Sequence, residues 1–214
     1  MKKTLLTLVL LIIMLAGCSD DAKQNLADTL VESDPEACER VENKLDCYAR
    51  LAKVQQQPTV CENLGGAEDI NTCYIMVSYE LKDISICNNI KNEELKIKCI
   101  VSMGKELNDA TACDGLTNLE SKGTCLTTLA SEMQDPSMCN GIDNALAKGT
   151  CIAINAASLQ DSSICEVGDT DEARFNCYSL MAMSMKDVTI CDNLGDEAKK
   201  NSCVAFVESE GQSI

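Results

Sequence analysis

The cysteine spacing constrains the fold of this 214-residue chain more than any other feature. From Cys47 onward the intervals between cysteines alternate between 14 and 12 residues, which defines a 26-residue repeat with two cysteines in each copy. Cys38 opens a first copy whose two cysteines are only 9 residues apart. A period of this length is typical of identical supersecondary units stacked in series, and not of one globular core.

Each copy of the repeat predicts a helical hairpin. Six of the seven copies begin with Asp four residues before the first cysteine, and Pro35, Pro58 and Pro136 follow the first residue of their copies. Asp and Pro in this order predict the start of a short helix of about two turns. After a polar turn, apolar residues at positions 1, 4 and 8 beyond the second cysteine, with a small residue at position 5, predict a longer helix. We therefore expect an all-α solenoid of seven short disulfide-linked helical hairpins over residues 34–210, followed by a tail at 211–214.

Two disulfide patterns fit the intervals, one within each copy and one between neighbouring copies. Pairing at an interval of 14 would leave Cys38 and Cys203 unpaired, whereas pairing within copies uses all fourteen cysteines of the repeat. The shortened first copy also favours pairing within copies, because a hairpin loop can lose residues while its flanking cysteines still meet. The favoured pairs are Cys38–Cys47, Cys61–Cys73, Cys87–Cys99, Cys113–Cys125, Cys139–Cys151, Cys165–Cys177 and Cys191–Cys203.

Other uses of cysteine are disfavoured by the same spacing. Structural zinc sites usually combine cysteines two to four residues apart, often with histidine, and this chain contains no histidine. Redox sites of the thioredoxin type need a Cys-x-x-Cys motif, which does not occur in this sequence. We therefore predict no metal site and no cofactor.

The first residues predict export. Two lysines precede an apolar-rich run from Leu5 to Ala16, which as a helix would span only ~18 Å of the ~30 Å hydrocarbon core. We expect residues 1–17 to be a signal peptide, because a basic start, a short apolar run and small residues form an export signal.

The end of this segment, Leu15-Ala16-Gly17-Cys18, resembles the lipobox of prokaryotic lipoproteins. The resemblance implies that Cys18 is diacylated and becomes the new N-terminus, and that residues 18–33 form a lipidated tether. An ordinary signal peptide with an incidental cysteine is the alternative. The odd total of fifteen cysteines favours lipidation, since modification of Cys18 removes the unpaired thiol.

The charge limits the partners. The chain has a formal net charge of −16, and removal of Lys2 and Lys3 leaves 16 basic against 34 acidic residues, a net charge of −18. Because this negative charge repels other anions, nucleic acid and anionic lipid are unfavourable partners. The expected partners are a membrane, reached through the lipid on Cys18, and a protein or peptide.

Three further patterns each have a functional and a structural interpretation. A basic residue stands three positions before the second cysteine in six copies, namely Lys44, Lys96, Lys122, Lys148, Arg174 and Lys200. These residues either form a ladder for an anionic polymer or, as is favoured, pair within the protein with the Asp caps or with the acids beside the first cysteine, which are Glu39, Glu62, Asp114, Glu166 and Asp192. Met181, Met183 and Met185 suggest soft metal binding or a pliable contact surface, but packing is favoured, because Met181 and Met185 fall on the core stripe. The acidic run from Asp169 to Glu172 is interpreted as a solvated turn, since it lacks the EF-hand pattern.

The architecture is similar in concept to the Helicobacter cysteine-rich proteins, whose αα-repeats also carry one disulfide each. The period here is shorter and the consensus differs, so no activity or site residue follows from this resemblance. We predict a non-enzymatic cell-envelope lipoprotein on the outer face of a prokaryotic membrane, acting as a binding or scaffold repeat domain. An inert structural spacer and a lipid-anchored enzyme or inhibitor are the alternatives.

Overall fold

A computed structural model describes residues 35–211, and every regular element in that range is helical. The predicted all-α fold of disulfide-linked hairpins is thereby confirmed. The α-helices are α1 (Pro35–Cys38), α2 (Lys44–Gln55), α3 (Ala67–Leu81), α4 (Glu93–Leu107), α5 (Leu119–Met133), α6 (Ala145–Leu159), α7 (Asp171–Met185) and α8 (Glu197–Gly211). From repeat 2 onward each copy begins with a 3₁₀-helix, and these span Pro58–Asn63, Ile84–Asn89, Ala112–Gly115, Pro136–Gly141, Ser162–Val167 and Val188–Asn193.

The chain forms two compact bodies that divide after Ile86. Within the first body, α2 packs on α3. Within the second body, each long helix from α4 to α8 packs on the next one, and the 3₁₀-helices fit between consecutive long helices. Packing of consecutive repeats against their neighbours is the arrangement of a solenoid.

The short helix of repeats 2 to 7 is a 3₁₀-helix, and in repeats 3 to 7 it starts from a side-chain cap, whereas Gln57 of repeat 2 forms none. In repeat 5 the carboxylate of Asp135 accepts hydrogen bonds from both the backbone N–H and the hydroxyl of Ser137. The same pair of hydrogen bonds recurs in the repeats that begin with Asp83, Asp109, Asp161 and Asp187. This geometry explains why Ser or Thr stands two residues after Asp in the repeat.

Each long helix has a defined start and end. Asn43, Asn92, Asn118, Asn144 and Thr170 cap the starts of five long helices by accepting a backbone N–H three residues later. The residue after the helix adopts the left-handed conformation with φ between 52° and 55° in α2 to α7. The next residue then donates its N–H to a carbonyl inside the last turn, for example Asp109 to Gly104 over 2.8 Å. This ending turns the chain into the following repeat.

The core lies between the two helices of each repeat and, within each body, between neighbouring repeats. The half-cystines are at most 7% exposed, and each disulfide joins the short helix to the long one with Cα atoms 5.5–5.9 Å apart. The stripe residues at positions 1 and 4 beyond the second cysteine are buried in repeats 1 to 6, as predicted. The small residues at position 5 are buried as well, and a Cβ on Gly104 would lie 2.7 Å from the Cβ of Ala112.

Position 8 does not belong to the core, which corrects the predicted stripe. Leu107, Leu159 and Met185 are 37%, 43% and 45% exposed. Each is the last residue of its helix, where the chain turns away toward the next repeat. The packing interpretation of the methionine run therefore holds for the fully buried Met181 and is wrong for Met185.

Candidate functional site

The predicted lipidation site at Cys18 and the tether lie outside the described residues. Within them, the basic residues three positions before the second cysteine all form ion pairs with carboxylates of the same chain, so pairing within the protein is confirmed. The predicted partner beside the first cysteine is right in three pairs and wrong for Lys96, Lys148 and Arg174. The pairs are Lys44–Glu39, Lys96–Glu93, Lys122–Asp114, Lys148–Asp169, Arg174–Asp171 and Lys200–Asp192. No group of three or more His, Cys, Asp or Glu side chains between residues 35 and 211 is arranged to hold a metal ion.

Buried tyrosines follow the second cysteine in three repeats and close the hairpin from inside. The hydroxyl of Tyr178 donates to Glu166 over 2.6 Å, and Tyr48 and Tyr74 donate to the acid that follows the first cysteine of their own repeats. Burial, together with the neighbouring carboxylate, raises the pKa of Tyr48 and of Tyr74 to about 12. These phenols are therefore neutral hydrogen-bond donors near neutral pH, with a structural role.

Repeat 5 departs from the common pattern in its core. Asn155 stands at position 4, where the other repeats have an aliphatic residue or methionine, and it is 1% exposed. Its side-chain amide donates to the carbonyl of Cys151 over 2.9 Å and lies 3.8 Å from the Cys139 sulfur. The predicted stripe treated all repeats alike and therefore missed Asn155, although a comparison of position 4 across the repeats shows it.

The same repeat is joined unusually closely to the one that follows. The side chain of Lys148 is only 8% exposed and binds both carboxylate oxygens of Asp169, at 2.8 and 3.0 Å. Asn140 donates to the carbonyl of Val167 in the next repeat. Gly149 leaves room for α7, since a Cβ there would lie 2.6 Å from the carbonyl oxygen of Ala173. These contacts fix α6 firmly on its α7 side.

On its other side, α6 borders an open groove of about 980 Å³ that runs between α5 and α6, here called the α5–α6 groove. Its apolar lining includes Leu119 and Leu146 at the start of the two helices, which are 71% and 59% exposed. Singly exposed leucines are common on protein surfaces, but two of them flanking one groove form a patch. The groove is therefore the candidate functional site.

Three of the four threonines that line the groove have their hydroxyl protons engaged within their own helices. Thr127, Thr128 and Thr150 each donate their hydroxyl to the backbone carbonyl four residues earlier in their own helix, over 2.8–2.9 Å. With those protons engaged along the helix, the lining offers few donors to a ligand. The surface therefore favours an apolar occupant.

The charges near the groove are acidic. The helix α6 contains no Asp or Glu, and its single charged residue, Lys148, is buried in the ion pair already described. Glu120 and Asp143 are exposed at the rim, and neither forms an ion pair within residues 35–211. Lys122, which also borders the groove, is held 3.1 Å from Asp114.

A smaller groove of about 460 Å³ lies between α4 and α5 and shares Thr124 and Thr128 with the first. Its sides are bridged by Lys105 and Glu132, and Lys98 pairs with Glu94 along α4. The Lys105–Glu132 ion pair therefore places charges across this smaller groove, whereas no ion pair among the described residues crosses the α5–α6 groove.

One sequence signal could have located the groove. Leu146 lies five residues before the second cysteine, and at this position five of the other six repeats have Glu, namely Glu42, Glu68, Glu94, Glu120 and Glu172. The departure becomes informative only when the repeats are aligned position by position and exposed positions are compared, because an isolated leucine in a helix predicts burial.

None of the helices in the described range is both long and apolar enough to cross a bilayer. Comparison with protein-family models, with curated proteins and with solved structures finds no match to this chain.

Proposed function

We propose that this chain is an exported, non-enzymatic binding protein that holds a partner protein in its α5–α6 groove. In this proposal a lipid on Cys18 anchors it to the outer face of a prokaryotic membrane, and the disulfide-linked repeats form the binding body. Nucleic acid has no part in this function, since the chain carries a net charge of −16.

The disulfides support the compartment. Seven disulfides link all the cysteines of the described repeats, and disulfides persist in oxidising, extracytoplasmic surroundings. The lipobox-like Leu15-Ala16-Gly17-Cys18 supports the anchor, and it would leave no thiol unpaired.

The observation that carries the binding function is an exposed leucine, Leu146, at a position where five of the other six repeats have glutamate, beside a second exposed leucine, Leu119, on the same groove. Leu146 is 59% exposed, so it contributes little to folding, and its exchange for the usual Glu would cost the fold little. Two exposed leucines that flank one apolar groove form a patch of the kind that marks a binding surface. The non-enzymatic character is supported by the sequence, which has no histidine to act as a general base.

Site-specific photo-crosslinking in the cells that make the protein tests this function. A photoreactive residue replaces Leu146 in one variant and Glu172, the matched exposed position of the next repeat, in the other. We expect a discrete cross-linked protein from position 146 and none, or far less, from position 172. Equal cross-linking from both positions, or from neither, would show that the groove is not the binding surface.

A further inference from the structure

We propose that the occupant of the α5–α6 groove is an amphipathic helix of a partner protein, with an apolar face and basic residues along its edges. This inference rests on the proposed function and adds the chemistry of the partner. It follows from the exposure of the groove's rim, from the scarcity of free backbone groups along its walls, from its length and from its charge.

The exposure of the rim favours a macromolecule over a small molecule. Pockets for small ligands usually bury most of the ligand surface. Leu119 and Leu146 stand at the edge and are 71% and 59% exposed, so a small molecule between α5 and α6 would leave them largely in water. A partner broad enough to touch both leucines and the groove floor would cover them.

The backbone of the groove favours a helical occupant. The two walls of the groove are the helices α5 and α6, with segment 141–144 at one end. Beyond the first turn the backbone groups of these walls bond within their own helices, and the hydroxyls of Thr127, Thr128 and Thr150 do the same. An extended segment would find few partners for its own N–H and C=O groups there. A helix satisfies its backbone internally and needs only an apolar face.

The length of the groove sets the length of the occupant. Its lining in α5 runs from Leu119 to Thr128, ten residues that correspond to roughly 15 Å at 1.5 Å per residue. A helix of about three turns would lie along it, with apolar anchors spaced at i, i+3 or i+4, and i+7.

The charge of the site selects basic edges. Glu120 and Asp143 are exposed at the end of the groove where α5 and α6 begin, and they lack ion-pair partners among the described residues. The chain around them is strongly acidic. Lys or Arg at one end of the occupant would meet both carboxylates, whereas a second copy of this chain or an anionic lipid would be repelled.

Peptide binding tests the inference on the full chain carrying Cys18→Ala, so that no attached lipid competes. The probe is a labelled 15-residue peptide of Leu and Lys with leucines at helical spacing. One control peptide has Glu in place of each Lys, and another has the same Leu and Lys in strict alternation, which forms an amphipathic strand. Affinity is measured by fluorescence anisotropy at low and at physiological salt.

Two protein variants with equal charge change locate the binding. Leu146→Glu restores the residue usual at this position of the repeat, and Leu159→Glu alters an exposed leucine of the same helix that does not line the groove. We expect the Leu/Lys helix to bind the wild type more tightly than either control peptide does. We expect Leu146→Glu to weaken that binding at least tenfold and Leu159→Glu to change it less than twofold. A further variant with Glu120→Gln and Asp143→Asn should lower the affinity severalfold at low salt.

The inference is overturned if the Leu/Glu helix or the alternating peptide binds as tightly, or if Leu146→Glu and Leu159→Glu behave alike. It is also overturned if the material cross-linked at position 146 in cells is a lipid or a second copy of this chain. A protein cross-linked at position 146, combined with failure of the Leu/Lys helix to bind, would leave the binding function standing and reject the partner chemistry alone.

Discussion

Two glycines at the same position of neighbouring repeats should respond in opposite directions to the same substitution. Gly123 in α5 and Gly149 in α6 both lie two residues before the second cysteine. A Cβ on Gly123 would have no heavy atom within 4 Å outside its own helix turn. A Cβ on Gly149 would lie 2.6 Å from both the carbonyl oxygen of Ala173 and the Cβ of Asn176.

The magnitude follows from two opposing contributions to the free energy of unfolding. Replacing glycine by alanine inside a helix stabilises it by about 1 kcal/mol, and both variants gain this amount. Overpacking typically costs about 1–3 kcal/mol, and only Gly149→Ala pays it, because a backbone carbonyl cannot rotate away from the new methyl group. Gly123→Ala should therefore stabilise the protein by about 1 kcal/mol. Gly149→Ala should destabilise it by about 0–2 kcal/mol, so that the two variants differ by about 1–3 kcal/mol.

Native-state hydrogen exchange is the suitable assay, because repeats can open locally and a single global midpoint then has no clear meaning. Exchange should accelerate in α6 and α7 of Gly149→Ala and slow in α5 of Gly123→Ala. Equal stabilisation by both substitutions would refute the close approach of α7 to α6.

Two other perturbations have defined outcomes. Changing Cys113 and Cys125 of repeat 4 together to Ala removes one disulfide, which typically contributes about 3 kcal/mol to the free energy of unfolding for a loop of this size. Hydrogen exchange should therefore rise in α5 and at the facing parts of α4 and α6. Uniform loss of protection from exchange over α4 to α8 would contradict nearest-neighbour packing. The hydrogen bonds from Ser163 lower the pKa of Asp161, so the stability that this cap contributes is present above the ordinary Asp pKa and is lost as the pH falls through the lowered value. Ser163→Ala should move the Asp161 pKa upward in a carboxylate NMR titration, and an unchanged pKa would show that the hydroxyl is not its main cause.

The repeat architecture was predictable because covalent and local constraints recur in every copy. Pairing within the hairpin was favoured because it uses all fourteen repeat cysteines, and the structure has those pairs. Asp at the first position of a copy indicated a capped helix start, which Asp161 forms with Ser163. The cap depends on residues close in sequence, so a single copy predicts it, whereas the choice of disulfide pattern required both ends of the array.

The candidate site was not predictable from the consensus, since it depends on departures from it. A single leucine in a helix, such as Leu146, is ordinarily buried, and only its exposure in the structure separates it from a core residue. Helical periodicity also placed Leu159 in the core, although the helix ends there and leaves it 43% exposed. Burial of Lys148 required Asp169 from the next repeat, a pairing of residues 21 apart that no local pattern contains.

The most direct test of partner binding measures whether the α5–α6 groove is covered in the cell. Hydroxyl-radical footprinting compares side-chain oxidation in intact producing cells with oxidation of the purified protein. We predict that Leu119 and Leu146 are oxidised readily in the purified protein and are protected in cells, while Leu159 and Phe206, at 43% and 40% exposure, react equally in both. Equal oxidation of all four residues in cells and in the purified protein would contradict the proposal that this groove holds a partner.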